Sequence, residues 1–336
     1  MTESERSPAI NVPRKHHIIP AFYLTGFTAR QSQSNVLHVF DYTSGKRYLS
    51  TPLKACRESD FYRVEEPGYD VNHTELALGD VEATLAKSVK LVASGAVADR
   101  PTIAQTLEFS ALCAGRNRRA RQQTGPTLAA SIASRLRRGE MSREEWEKIR
   151  ASELRNGANA AEVPPYDEAV KLLLDTQWFP RAPTVLQVGL VFEAAEGLRR
   201  VLMKKRWETH VTDPSKNGGF VCSDNPLVWG DINVMATRLR DLKLKRPVSL
   251  SDDGIEVTFP VSRSVALVSY SSARESRCQT TDKIVAHVNS RTLHASDNLI
   301  FHAYDDFLTE QKHNVIRNGS EYFAYVAEAR RKGIEP

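Results

Sequence analysis

Residues 72–206 are written almost wholly in helical periodicity, and on either side of that block the pattern turns to short β-type runs. That order predicts an α+β fold in which N-terminal and C-terminal strands share a sheet, with a large helical block inserted between them. The texture changes at Trp207. The runs 207–211, 219–222, 255–261 and 265–270 are rich in apolar and β-branched residues and are separated by Pro-, Gly- and Asp-bearing turns, which makes 207–303 a mainly β block. Residues 1–13 are polar with little to bury and read as a disordered lead-in, so 14–336 is expected to form a single domain.

Within the helical block the first helix is expected over 72–94. Asn72 is placed to cap it, Glu75 three residues on completes a capping-box-like pair, and Leu76, Val81, Leu85, Val89 and Val92 form its apolar stripe. Helices over 102–122, 127–138 and 143–155 follow. The stretch 155–165, with Asn, Gly, Ala and two prolines, reads as an exposed linker before helix resumes at 166–178 and 185–205. Ahead of the block, a short helix within 16–28 is started by Pro20 and turns Phe22, Leu24 and Phe27 inward. A hairpin follows, its strands at 36–42 and 47–53 joined by a turn at Thr43-Ser44-Gly45-Lys46. The chain closes with a helix at 282–295, a strand at 299–303 and a helix at 320–332.

Composition narrows the function classes. Of the 336 residues, 41% are hydrophobic and 26% charged, the balance of a soluble globular protein. No run reaches about eighteen apolar residues, so no membrane span is expected, and the polar N-terminus shows no secretory h-region. Cys56, Cys113, Cys222 and Cys278 lack CxxC spacing, which argues against a zinc ribbon or disulfide scaffold and fits a cytoplasmic location. The net charge of +5 is modest, but it is clustered. Arg116, Arg118, Arg119 and Arg121 form one group; Arg135, Arg137 and Arg138 another; Arg199, Arg200, Lys204, Lys205 and Arg206 a third; Lys243, Lys245 and Arg246 a fourth. Such runs suit nucleic-acid phosphates or simply solvated helix faces. Gly-rich phosphate loops, GxSxG, HExxH and kinase signatures are absent.

Two segments concentrate polar groups beside a proline and large apolar residues: Arg14-Lys15-His16-His17-Ile18-Ile19-Pro20 and Phe220-Val221-Cys222-Ser223-Asp224-Asn225-Pro226-Leu227. On a helix, the adjacent histidines diverge by about a hundred degrees, so at most one faces the interior. Imidazole is suited to general base or metal-ligand work near neutral pH. Asp224 and Asn225 suit orienting a histidine, holding a metal through oxygen or accepting from arginine, and equally suit an Asx turn that satisfies backbone N–H groups. Glu75 and Glu82, seven residues apart, share a helix face. Arg116 follows the apolar Phe109, Leu112 and Cys113 and is the arginine expected to point inward, with Glu82 or Asp224 as its partner.

The string His16-His17-Ile18-Ile19-Pro20 resembles the opening of HNH-type His-metal-finger nucleases, in which the second histidine activates water. That resemblance implies a later Asn and a metal-binding His, matched in spacing by Asn35 and His38, although His38 lies in a strand pattern and no zinc cysteines accompany it. Over about residues 14 to 303 the chain is similar to bacterial proteins carrying the domain of unknown function 4238. The likeness rests on His17-Ile18-Ile19-Pro20-Ala21-Phe22-Tyr23-Leu24-Thr25-Gly26-Phe27, the strand ending at Asp41, Phe61-Tyr62, Glu75 and Glu82, Arg116, Cys222-Ser223-Asp224-Asn225-Pro226, Pro260-Val261-Ser262 and Asn289. Cys222 departs from the family's usual threonine, and Arg116-Asn117-Arg118 from its Arg-Thr-Pro tendency. The resemblance implies a shared fold and no assigned activity.

The resulting expectation is a metal-dependent phosphodiesterase or nuclease acting on nucleic acid. His17 would be the base and Arg116 the phosphate clamp, with Asp224 and Asn225 in the catalytic set. His17, Glu75, Glu82 and Asp224 would be ligands for Mg²⁺ or Mn²⁺. The alternative is a non-catalytic binding or regulatory protein in which these residues form a structural polar network.

Overall fold

The structure is a computed structural model that describes residues 15–31, 35–175, 178–231, 249–252, 254–311 and 315–332. The expected lead-in 1–13, Arg14 and the basic group Lys243, Lys245 and Arg246 lie outside the described residues.

The chain begins not in a helix but in a strand. β1 (Lys15–His17) pairs antiparallel with β4 (Arg57–Ser59), His16 facing Glu58 in register. Pro20 explains the correction: it disfavours helical geometry in the residue ahead of it, so helix starts only after it. α1 (Ala21–Leu24) runs on into a short 3-10 turn at Thr25–Phe27. Tyr23, Leu24 and Phe27 are buried, whereas Phe22 is half-buried and meets Phe109 at 5.1 Å. The hairpin strands are β2 (Leu37–Asp41) and β3 (Lys46–Ser50).

α2 (His73–Ala93) fills the expected span, but Asn72 makes no side-chain cap; its own N–H is taken by Asp70 Oδ1 at 2.7 Å. α3 (Arg100–Gly115) stops earlier than expected, because Asn117 caps α4 (Arg118–Arg137) by accepting from the Ala120 N–H at 2.7 Å. The expected gap between 122 and 127 therefore lies inside α4, Pro126 included. α5 (Arg143–Arg155), α6 (Tyr166–Asp175) and α7 (Thr184–Leu202) complete the helical block. The stretch 155–165 is mostly exposed, as expected, but it is anchored: Val163 is fully buried, and the Trp146 indole donates to the Pro164 carbonyl at 2.9 Å.

Then come β5 (Glu208–Val211), α8 (Pro214–Asn217), β6 (Cys222–Ser223), β7 (Val228–Asp231), β8 (Ile255–Ser262), β9 (Val265–Ser269), β10 (Ser276–Gln279), α9 (Asp282–Ala295), β11 (Leu299–His302), β12 (Leu308–Gln311), β13 (Val315–Asn318) and α10 (Gly319–Arg331). N-terminal and C-terminal strands share a four-stranded sheet in the order β3-β2-β11-β6, with Phe40 opposite Ile300 and His38 opposite His302. A five-stranded sheet, β10-β5-β9-β8-β7, is built from the second half, with only β10 and β5 parallel.

One apolar cluster joins the N-terminal segment, α2, α3, α7, β8, β9 and β11. Its aromatic centre is Tyr23, stacked on Phe259 at 5.5 Å and against Phe109 at 5.3 Å, with its hydroxyl donating to the Pro260 carbonyl. Close approach of α3 and α7 needs Gly115: a Cβ there would stand 2.8 Å from the Val191 carbonyl oxygen. Among the described residues no helix is long and apolar enough to cross a membrane.

Candidate functional site

The α3–α4 junction brings several of the expected residues together. Arg116 ends α3, and its side chain is swallowed by the apolar face that carries Leu112 and Cys113. Its Nη1 donates to Glu82 of α2, while its Nε and Nη2 are buried with no hydrogen-bond partner among the described residues. Burial opposes the charge, but Glu82 foremost, with Tyr62 and Cys113, holds the guanidinium well above its ordinary pKa. The Tyr62 hydroxyl donates to the Arg116 carbonyl at 3.4 Å, and burial pushes that phenol up.

Both histidines lie on β1, so they alternate faces rather than diverging around a helix. His16 is buried at 1% exposure and stacks on Tyr62 at 5.8 Å. Its Nδ1 accepts from the Tyr62 backbone N–H at 2.8 Å, so the neutral ring carries its proton on Nε2, which has no partner among the described residues. His17 is less buried. Its Nε2 donates to the Leu53 carbonyl at 3.2 Å, which leaves Nδ1 with the lone pair. Burial, Arg57 and Arg116 lower its pKa, and Leu53 partly offsets them. The backbone of His17 hydrogen-bonds the Glu75 carboxylate, whose pKa burial raises, with the Arg116 charge among the influences that oppose it.

The Asp224–Asn225 corner lies across the same junction. Asp224 accepts from three backbone N–H groups, those of Asp297 and Asn298 at 2.9 Å and Leu299 at 3.0 Å. Burial and then Asp297 push its carboxyl up to about 7, against those three donors. Asn225 donates to the Ala295 carbonyl at 3.0 Å and accepts from Asn117 at 2.8 Å. The Glu82–Arg116 pair and the Asn117–Asn225 bond therefore use adjacent residues of one junction. His17, Glu75, Glu82 and Asp224 do not converge as a ligand set: among the described residues, the three metal-ligating side chains whose donor atoms lie within 4.8 Å of one another are His38, His302 and Asp305.

Beside the junction opens a cleft of about 400 Å³ walled by Arg63, Arg121, Arg155 and Arg181, with Asp60 and Glu65 also in its lining. Arg63 pairs with Glu65 at 2.7 Å, Arg155 with Glu66 at 2.8 Å and Arg181 with Glu153 at 3.2 Å. Arg121 has no ion pair among the described residues. Its guanidinium lies 4.3 Å from the Phe61 ring centroid, and burial pulls its pKa down. Arg121 and Gln187 also line a narrow pocket behind the cleft whose wall includes Arg116 and Asn117. The other arginines of this run have partners: Arg118 meets Glu58 at 2.7 Å and Arg119 meets Asp297 at 2.9 Å. Residue spacing does not distinguish Arg121 from its neighbours; only the tertiary inventory of carboxylates does. Nor does spacing reveal that His16, rather than His17, is the sealed imidazole, although the extended bias imposed by Pro20 is a usable signal.

A family model described as Protein of unknown function (DUF4238) matches residues 15–306. No curated protein and no solved structure matches the chain.

Proposed function

We propose that this chain, which belongs to the family of proteins of unknown function DUF4238, binds a phosphate-bearing ligand in the cleft headed by Arg121, the phosphodiester backbone of nucleic acid being the class that suits it. The observation that carries the reading is Arg121 itself, a half-buried guanidinium with no ion pair among the described residues, in a cleft lined by three further arginines and by Asp60 and Glu65. A desolvated cation without a counter-ion is costly, and an oxyanion offers its fork two matched acceptors. Arg116, with Nε and Nη2 unpartnered behind the same wall, supplies further donors at the inner end.

Hydrolysis is the finer form of the proposal. His17, with Nδ1 as acceptor and a lowered pKa, is suited to take a proton from water at neutral pH. Glu75, bonded to the His17 backbone, supplies a carboxylate beside it. A second reading, a binding protein without catalysis, is favoured by Asp224, whose two oxygens are committed to the three backbone donors.

The test pairs binding with turnover. Labelled single-stranded DNA and RNA are titrated into wild type and Arg121→Met, and wild type and His17→Ala are incubated with plasmid and RNA in Mg²⁺ or Mn²⁺. Binding that weakens in Arg121→Met supports the cleft, and turnover lost in His17→Ala supports hydrolysis. Absence of binding at low salt, or equal binding by wild type and Arg121→Met, overturns the proposal.

A further inference from the structure

We infer that His38, His302 and Asp305 form a binding site for a first-row transition ion of the zinc class, at the seam where the N-terminal and C-terminal strands meet. The backbone builds most of it. β2 and β11 are antiparallel neighbours with His38 directly opposite His302, so both imidazoles leave the same face of the sheet, their centroids 5.4 Å apart. Three residues after His302 the chain has turned, and Asp305 Oδ1 stands 3.5 Å from His302 Nδ1. One donor atom from each of the three lies within 4.8 Å of the other two. Around a tetrahedral ion with bonds of about 2.0–2.1 Å, donors sit roughly 3.4 Å apart, so a shift of about an ångström closes the set.

Two buried polar atoms of this cluster are unmet. His302 is 2% exposed, yet its Nε2 has no hydrogen-bond partner among the described residues, and Asp305 Oδ1 is likewise buried without one. The surroundings position the donors without consuming them all. Arg47 holds Asp305 through Oδ2 at 2.7 Å, and the Tyr304 carbonyl lies 3.1 Å from His302 Nδ1. Phe307 and Phe323 pack on the His302 ring at 5.2 and 5.3 Å and fix its plane. A purely aromatic role for His302 would account for the packing but not for a carboxylate and a second imidazole converging on it.

The donor set selects the ion. Two imidazoles and one carboxylate suit zinc, cobalt or nickel, whereas magnesium and calcium take oxygen ligands. Three protein ligands leave a coordination position open. The Asp305 side chain is 30% exposed, which puts the site close to the surface. Tyr304, which meets the His38 ring at 6.4 Å, also lines an open cleft with Arg30 and Arg263. The site is independent of the Arg121 cleft.

Full-length protein stripped with chelator is titrated with Zn²⁺ by calorimetry and with Co²⁺ by visible absorption, alongside His38→Ala and Asp305→Ala. The expected result is one equivalent bound by wild type, ligand-field bands with Co²⁺, and affinity at least about 100-fold weaker in each variant. Zn²⁺ should raise the melting temperature of wild type and not of the variants. Circular dichroism establishes that at least one variant keeps the fold. No stoichiometric Zn²⁺ or Co²⁺ binding by wild type, or undiminished binding by a folded variant, overturns the inference.

Discussion

Arg116 and Glu82 form an ion pair in which only the cation is sealed: the arginine side chain is 1% exposed and the glutamate 19%. The carboxylate therefore keeps some contact with water while the guanidinium depends on it. Glu82→Gln leaves that charge in the interior with two nitrogens already unpartnered, and the expected loss of stability is about 3 kcal/mol. In an Arg116→Met background the same change should cost far less. A double-mutant cycle in urea measures the coupling, and a value near zero would show that the pair contributes nothing specific.

Helix α2 was legible in the sequence because Leu85, Val89 and Val92 recur at helical spacing and are buried, although Leu76 is exposed and Leu78 takes its place; its observed span, His73–Ala93, departs from 72–94 only at the ends. The shared sheet was legible from the order of helical and β patterns. The short elements were not. β10 is four largely exposed residues at a sheet edge, and β12 and β13 pair only with each other, so none carries a periodicity that a sequence window can register. The boundary between the expected helices 102–122 and 127–138 also misled, since the break lies where Asn117 offers a cap. For the candidate site, Arg116 was identifiable from the apolar residues that precede it. His302 was not paired with His38, because that depends on strand register between segments more than 260 residues apart.

Asp224 satisfies three backbone N–H groups at once, and asparagine offers only one acceptor oxygen in place of its two. Asp224→Asn sets an amide N–H₂ against at least one of those donors, at an expected cost of about 2 kcal/mol or more. Amide exchange at Asp297, Asn298 and Leu299 should accelerate selectively. Unchanged exchange at those residues would remove the role assigned to this carboxylate.

Gly115 sets the distance between α3 and α7. A Cβ there meets the Val191 carbonyl oxygen at 2.8 Å and the Ala195 nitrogen at 3.0 Å, both backbone atoms that cannot swing aside. Helix propensity alone would make Gly115→Ala stabilising by about 1 kcal/mol. Overpacking is expected to win and destabilise by about 1–3 kcal/mol. Chemical denaturation reads the sign directly, and a stabilised variant would refute the packing account.

His287 lies between two carboxylates, Glu256 at 2.8 Å and Glu310 at 3.2 Å. Burial is the largest influence and pulls its pKa down, but Glu256 and then Glu310 outweigh burial and the opposing Arg291, so the net shift is upward. The folded state then holds this proton more tightly than the unfolded chain. The contribution is complete below about pH 6.5 and is lost as pH rises through the raised folded value. The urea midpoint of wild type should fall more between about pH 6 and about pH 9 than that of His287→Gln. Parallel pH profiles for the two proteins would contradict this assignment.

Arg121 separates the ligand-binding reading from a merely basic surface. Arg118 and Arg119, in the same run, have carboxylates at 2.7 and 2.9 Å, so an incoming phosphate must compete with Glu58 or Asp297 for them. Arg121 makes no ion pair among the described residues, and its stacking on Phe61 restrains the guanidinium before any ligand arrives. A charge-assisted hydrogen bond is worth about 1.5–3 kcal/mol, so Arg121→Met should weaken binding of an oligonucleotide by at least about tenfold. The same loss should lower the slope of log affinity against log salt by about 1, because one phosphate contact is gone. Arg118→Met, by contrast, should alter the affinity several-fold less, since that side chain is already engaged with Glu58. Equal losses in the two variants would mean that binding follows net charge rather than this cleft.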